Sequence, residues 1–273
     1  MSAEVAPVQI LAKADLLAAS GGSPVLRAEA PQPLRGPALW HEEAAAWAVA
    51  FLRPTHVHGV NVMLHAGDRY RQAELMPASA LAALDSLVRS APFARWLAQT
   101  REDGATHVSL PRAGVPLVGD LLADPEHAVG RWEWMWTRTP PPPPGMRVVD
   151  LDRSARGELE DLLARDNART DGRPFAHDAQ RWVGVRDGTG RLVAVGCCEL
   201  EVSGAPILAG ITTASGFRGR GLGRAVTAEL TRGAIAEHGW CTLGMYSDNP
   251  IARDLYTDLG YTIAAEWTSG ALA

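Results

Sequence analysis

Phe217-Arg218-Gly219-Arg220-Gly221-Leu222-Gly223-Arg224 is the stretch on which the reading of this chain turns. An apolar run, Ala205 to Thr213, precedes it and reads as a strand. Ala225 to Glu237 follows, with apolar residues at Ala225, Val226, Leu230, Ala234 and Ile235, a helical spacing. The unit is therefore strand, glycine-rich turn, helix. Such a turn exposes backbone N–H groups with no Cβ in front of them. The helix behind it begins with unpaired N–H groups at its positive end. Together they make a cradle for phosphate, and Arg218, Arg220 and Arg224 add positive charge. A P-loop is excluded, because Gly221 is followed by Leu222 and not by Lys-Ser or Lys-Thr. A dinucleotide turn is excluded too: counting from Gly219 or Gly221, the sixth residue is Arg224 or Val226.

A second stretch lies about thirty residues downstream. Cys241 to Ser247 reads as a strand, followed by Asp248-Asn249-Pro250-Ile251-Ala252-Arg253-Asp254-Leu255-Tyr256-Thr257-Asp258-Leu259-Gly260-Tyr261. Asn249 or Asp248 suits a helix N-cap, Pro250 its first turn and Gly260 its end. Ile251, Leu255 and Leu259 are expected to form the buried stripe, with Tyr256 one residue off it. The two stretches together, R-x-x-G-x-G and N-x-x-A-x-x-L-Y-x-x-L-G-Y, resemble the two signatures of the GNAT acetyltransferases. The resemblance spans roughly Arg147 to Gly270.

The resemblance implies an α+β (α/β) fold in the C-terminal half, a mixed, mostly antiparallel sheet flanked by helices. It implies transfer of an acetyl group from acetyl-CoA to an amine of a small molecule or peptide, by direct attack in a ternary complex. By the same likeness, Ile211, Thr212 and Thr213 end the strand that pairs with pantetheine. Arg218, Gly219, Arg220, Gly221, Leu222, Gly223 and Arg224 hold the pyrophosphate, and Asn249 contacts the cofactor arm. Tyr256 stands where the family's general acid meets the departing thiolate. Some members carry a glutamate base on the strand before the loop. Here that strand, Ala205-Pro-Ile-Leu-Ala-Gly-Ile-Thr-Thr213, has no carboxylate. Glu199 and Glu201 on the neighbouring strand are the candidate bases, with His177 and Asp178 behind them. Two other readings stay open: transfer of another acyl group or to a hydroxyl, and a CoA-binding regulatory module without catalysis.

Working outward, Pro140 to Pro144, closed by Gly145, favours a stiff spacer. This divides the chain into an N-terminal extension (1–38), an N-terminal α+β domain (39–139), a proline linker (140–145) and the acetyltransferase-like domain (146–273). The extension reads as a helix near Val8 to Ala19 and otherwise as loop. In the N-terminal domain, strands are expected at Ala44–Leu52, Gly59–His65, Thr106–Leu110 and Arg131–Thr139. Helices are expected at Ala78–Val88, Pro92–Thr100 and Val115–Ala123. Trp132, Trp134 and Trp136 share one face of their strand and read as core or interface. A shift of about 135 carries Gly104–Leu110 onto Gly239–Met245 and Val115–Asp120 onto Ile251–Tyr256. His41 and Trp47 likewise resemble His177 and Trp182. The N-terminal domain thus reads as a degenerate copy. It lacks the glycine loop and carries Asp120 where the tyrosine would be, so it is expected to bind no CoA.

Composition narrows the function classes. The net charge is −5 and the pI about 5.9, so there is no general nucleic-acid footprint. Cys197, Cys198 and Cys241 have no metal or disulfide spacing. No stretch is long and apolar enough to span a membrane, and the first residues lack a leader pattern. The expectation is a cytoplasmic monomer or homodimer with no metal, nucleic-acid or membrane partner.

Overall fold

The computed structural model describes residues 6–55, 59–70, 75–127 and 129–273; residues 1–5, the start of the expected extension, lie outside this set. In chain order the elements are β1 (Val8–Ile10), α1 (Lys13–Ala19), α2 (Pro24–Glu29), β2 (Ala38–Glu43), β3 (Ala46–Thr55) and β4 (Gly59–Asp68). Next come α3 (Ala78–Arg89), α4 (Ala91–Glu102), β5 (Ala105–Pro111), α5 (Val115–Val118), β6 (Val129–Thr137) and β7 (Val149–Leu151). The remainder is α6 (Arg156–Asp166), β8 (Arg181–Arg186), β9 (Leu192–Leu200), β10 (Pro206–Thr213), α7 (Leu222–His238), β11 (Cys241–Tyr246), α8 (Pro250–Asp258) and β12 (Thr262–Ala271).

The chain forms two compact units. The first holds Met1–Trp134, Tyr246–Asp248 and Ile263–Ala273; the second holds Met135–Met245 and Asn249–Thr262. The division falls inside β6, between Trp134 and Met135, and not in the proline run. The last strand of the chain, β12, belongs to the first unit. It pairs antiparallel with β5, Trp267 opposite Pro111 and Ser269 opposite Ser109. Pairing between strands distant in sequence, and not linker composition, sets this boundary.

In the first unit the strands run β1-β2-β3-β4-β5-β12. Neighbours from β1 to β4 are antiparallel, and β4 and β5 are parallel. One face of β2 to β5 packs on α3 and α4 through Leu39, Ala48, Ala50, Val62, Leu64, Leu84, Leu87 and Phe93, all buried. Ser90 starts α4 by accepting from the Phe93 amide at 3.2 Å, and Ser23 caps α2 in the same way at 3.3 Å. The other face carries an aromatic row. Trp40 stacks on Trp47 with centroids 5.1 Å apart, Trp47 meets His65 at 5.3 Å, and His65 meets Trp267 at 5.6 Å. Trp132 stacks on Trp267 and donates to Ser269 Oγ at 2.7 Å. Trp134 is buried, so this part of the tryptophan stripe is core.

In the second unit the strands run β11-β10-β9-β8-β7. Pairing is antiparallel from β7 to β10 and parallel between β10 and β11. That is the order and sense of β1 to β5. Each parallel junction is bridged by helix, α3–α4 in one case and α7 in the other, and followed by a short helix, α5 or α8. A degenerate copy of the fold is thus written in the topology. Two of the three sequence matches, β5 with β11 and α5 with α8, fall on equivalent elements. The third does not: Trp47 lies on β3, whereas the strand equivalent to Trp182's β8 is β2. Two other expectations need correction. Residues 24–29 form α2 where loop was expected, and 38–43 form β2, a stretch to which the sequence reading assigned no element. Ala44 is not in a strand; it lies in the two-residue β2–β3 turn with φ of 55°.

Candidate active site

The second unit assembles the predicted loop, strand ends and tyrosine. β10 pairs with β11 only at Ile207–Thr242 and Leu208–Leu243. Beyond Leu208 no β10–β11 pair is registered among the described residues, so the two parallel strands part there and leave the β11-facing edge of β10 open over Ala209 to Thr213. On its other edge β10 bulges against β9: Ala209 lies opposite Cys197, but Thr212 lies opposite Val195. The extra residue bends the strand and re-aims Ile211, Thr212 and Thr213.

Gly210 makes the bulge possible. Its φ is +63°, and a Cβ there would lie 2.9 Å from the Trp182 ring. Just past α6, Asn167 clamps the bulge: its Nδ2 donates to the Ile211 carbonyl at 3.4 Å and to Thr212 Oγ1 at 3.0 Å. Sequence reasoning missed Asn167. A glycine inside a strand run, at 210, was the available signal for the bulge.

The glycine turn follows. Gly219 and Gly221 both have φ of 75°, and Gly221 leads directly into α7 with no side-chain cap. None of the amides from Gly219 to Arg224 donates to a protein acceptor among the described residues; the first helical bond runs from Ala225 N to Gly221 O at 3.0 Å. Gly219 and Gly221 are exposed. A Cβ at Gly219 would meet nothing within 4 Å, and one at Gly221 only Met146 Cε, at 4.0 Å. A row of free amides at a helix N-terminus, left clear by glycine, fits a pyrophosphate. Gly223 approaches β10 so closely that a Cβ would be 3.2 Å from Thr213 Oγ1.

The arginines do something different from simple display of charge. Arg218 ties the loop to its base, donating to the Thr213 carbonyl at 3.3 Å and the Asp166 carbonyl at 3.2 Å. Asp166 in turn accepts from the Ser215 amide at 3.0 Å. Arg220 lies over Phe217 at 5.0 Å and donates to Gly216 O, and Arg224 pairs with Asp258 at 3.3 Å. Arg218 and Arg220 keep positive charge around the cradle while shaping it; the charge of Arg224 is met by Asp258.

Asn249 caps α8, accepting from the Ala252 amide at 3.1 Å. On α8 the buried face differs from the expected one. Ile251 is 80% exposed, while Tyr256 is buried together with Leu259. The helix is nine residues long, and it packs through its C-terminal turn. Tyr256 lies 6.0 Å from the Tyr261 ring, and burial pushes its phenol up to about 12.

Of the two candidate bases, only Glu199 is on β9. It accepts from Gln180 Nε2 at 2.6 Å and lies 3.2 Å from His177 Nε2. Glu201 lies past the strand, in the turn to β10, where its amide bonds to Ala205 O at 2.9 Å. Asp178 pairs with Arg153 at 2.6 Å. Ile207 is opposite Glu199, and Gly210 is three residues further along β10. That puts the Glu199 backbone position about 10 Å along the strand from the bulge, at ~3.3 Å per residue.

Comparison with known proteins follows this geometry. Residues 182–268 match the family model described as FR47-like protein, which covers β8 to most of β12. A GNAT-family protein from Novosphingobium aromaticivorans superposes with a TM-score of 0.52 and 21% identity, over 81% of this chain and 87% of that one. A GCN5-related N-acetyltransferase from Kribbella flavida gives 0.51 and 17%, over 95% of both chains. An acetyltransferase of the GNAT family from Colwellia psychrerythraea gives 0.50 and 13%, over 98% and 100%. No curated protein matches the sequence. The chain therefore has the fold of the GNAT acetyltransferases, a mixed sheet flanked by helices, and the likeness extends over both halves. Among the described residues no cluster of metal-ligating side chains is present, and no helix is long and apolar enough to cross a membrane.

Proposed function

We propose that the second unit is an acetyl-CoA-dependent N-acetyltransferase acting on an amine of a small molecule or peptide. The observation that carries this reading is the run of undonated amides from Gly219 to Arg224 beside the unpaired edge of β10. The amides would hold the pyrophosphate, and Ile211, Thr212 and Thr213 would pair with the pantetheine arm; Asn249, past the C-terminal end of the parallel strand β11, would contact that arm. When bound, acetyl-CoA supplies an activated acyl thioester. One freed amide at the bulge would donate to the thioester oxygen as negative charge grows there.

Direct transfer to the acceptor is favoured over an acyl-enzyme route by the thiols. Burial raises all three cysteines, Cys198 to about 12 and Cys197 and Cys241 further, so none offers a thiolate near neutral pH. Tyr256 would donate a hydrogen bond to the departing sulfur. With its phenolate disfavoured by burial, it keeps its own proton and lowers the barrier by stabilising charge. Glu199 is the proposed base. Its distance from the bulge requires His177 or a water to carry the proton from the acceptor ammonium.

Release of free thiol from acetyl-CoA on a panel of amines tests this. Amine-dependent thiol and acetylated product are expected, and both should vanish in Gly221→Val. Tight CoA binding without transfer to any amine would instead identify a CoA-sensing module.

A further inference from the structure

We propose that the acceptor carries a carboxylate beside its amine, and that Arg173 receives it; this rests on the acyl-transfer reading above. The second unit has a cavity of about 460 Å³ whose walls include Arg156, Glu160 and Leu163 of α6 and Asn167, Gly172 and Arg173 of the loop after it. The size suits a small organic ligand. The cavity abuts the reacting region. Asn167 touches the bulge directly, and a Cβ at Gly172 would be 3.2 Å from Gly210 Cα.

The loop that walls the cavity is held in shape. Phe175 has φ of 53°, a region side chains rarely occupy, and its carbonyl accepts from Arg156 at 2.9 Å and from Arg153 at 3.3 Å. The Ala176 amide donates to Gln180 Oε1 at 3.0 Å, and Gln180 also holds Glu199. The same loop thus fixes the cavity wall and the proposed base.

Charge then decides the ligand. Arg156 is 3.5 Å from Glu160 and lies over the Phe175 ring, so its charge is answered within the wall. Arg173 has no hydrogen-bond or ion-pair partner for its guanidinium among the described residues. That guanidinium is exposed and open to a ligand, and its planar fork matches a carboxylate. A phosphate dianion would bring a second negative charge toward Glu160, which disfavours it. Leu163 and Pro174 offer apolar surface for a short aliphatic part. Arg173 follows Gly172, whose backbone lies against Gly210, and both line the one cavity, so the proposed acceptor carries its amine and carboxylate on one short skeleton, as in an amino acid.

The test uses the full chain with saturating acetyl-CoA, the twenty free amino acids and their carboxamides, each assayed singly. The wild type is expected to prefer acids to amides. In Arg173→Ala that preference should fall about ten- to a hundredfold, through KM, with kcat and CoA affinity little changed. Arg173→Lys, which keeps charge but not the fork, should restore part of it. Equal use of acids and amides by the wild type, or an unchanged preference in Arg173→Ala, overturns the inference while leaving acetyl transfer intact. No transfer to any amine, with CoA bound, removes the acyl-transfer reading and this inference with it.

Discussion

The β4–α3 and β10–α7 junctions occupy the same place in two copies of one topology, yet their described residues differ in the charge they set at the helix start. In the second unit, β10 passes into α7 through Gly219 and Gly221, and the amides from Gly219 to Arg224 are left without acceptors. In the first, β4 ends at Asp68. Its carboxylate accepts from the Tyr70 amide at 2.9 Å and from Ser79 Oγ at 2.8 Å, and Pro77 stands at the N-cap of α3. There the chain sets its own negative charge at the helix start, where an incoming phosphate would need positive potential. Residues 71–74 of that turn lie outside the described set. A shared sheet order therefore does not by itself define a ligand site; under the proposed function, a few residues at one strand–helix junction would.

The sharpest way to break the comparison is to count sites. Calorimetric titration should give about one CoA per chain. Gly221→Val should weaken binding on the order of a thousandfold, because a β-branched residue is strained at φ of 75° and obstructs several charge-assisted bonds. A stoichiometry near two, with one site surviving the substitution, would mean that the first unit also binds.

Next in size is Tyr256→Phe, which should lower kcat roughly 10- to 1000-fold with little change in CoA affinity. Since burial holds the phenol at about 12, it remains protonated throughout an assay at pH 6–10. The two proteins should therefore share one pH profile shape. An alkaline limb present only in the wild type would give Tyr256 a proton-transfer role after all.

A third measurement probes the first unit alone. Burial pushes His65 down to about 3, among the Trp47 and Trp267 rings, so folding favours the neutral ring. The contribution is complete above the unfolded value of about 6.5 and is lost as pH falls toward 3. At pH 4 the loss is on the order of 3 kcal/mol. Denaturant melts followed by tryptophan fluorescence should show it, and His65→Met should flatten that slope. An unchanged slope would mean that other groups govern acid unfolding.

The smallest effect expected is from Asn167→Ala. Losing two hydrogen bonds to the bulge should cost about tenfold in kcat/KM while CoA binding persists. An undiminished kcat/KM would show that Gly210 and the β9 ladder hold the bulge without it.

The copies also differ in how legible they were. The glycine turn, the strand before it and the helix behind it follow from local rules, and the structure has all three where sequence put them. The β9–β10 bulge was not foreseen because its clamp, Asn167, is more than forty residues away in sequence. β2 was hidden because its turn to β3 uses Ala44 in a left-handed conformation where glycine or asparagine would have announced a hairpin. Ile251 was placed in the core by periodicity, but a short helix buries only the face its neighbours cover, and Tyr256 and Leu259 hold that face. The exchange that gives β12 to the first unit has no local signal at all, since it is a choice between sheet edges.

That exchange also gives the molecule a clock. On the ribosome, roughly 130 residues must be added between Trp134 and Ile263 before β12 exists. At ~5–20 residues per second this takes on the order of ten seconds. Throughout that interval the outer edge of β5 waits with unpaired amides and carbonyls, the kind of edge on which nascent chains stick to one another. The first unit is begun first and completed last, because its β5 edge takes β12 as partner.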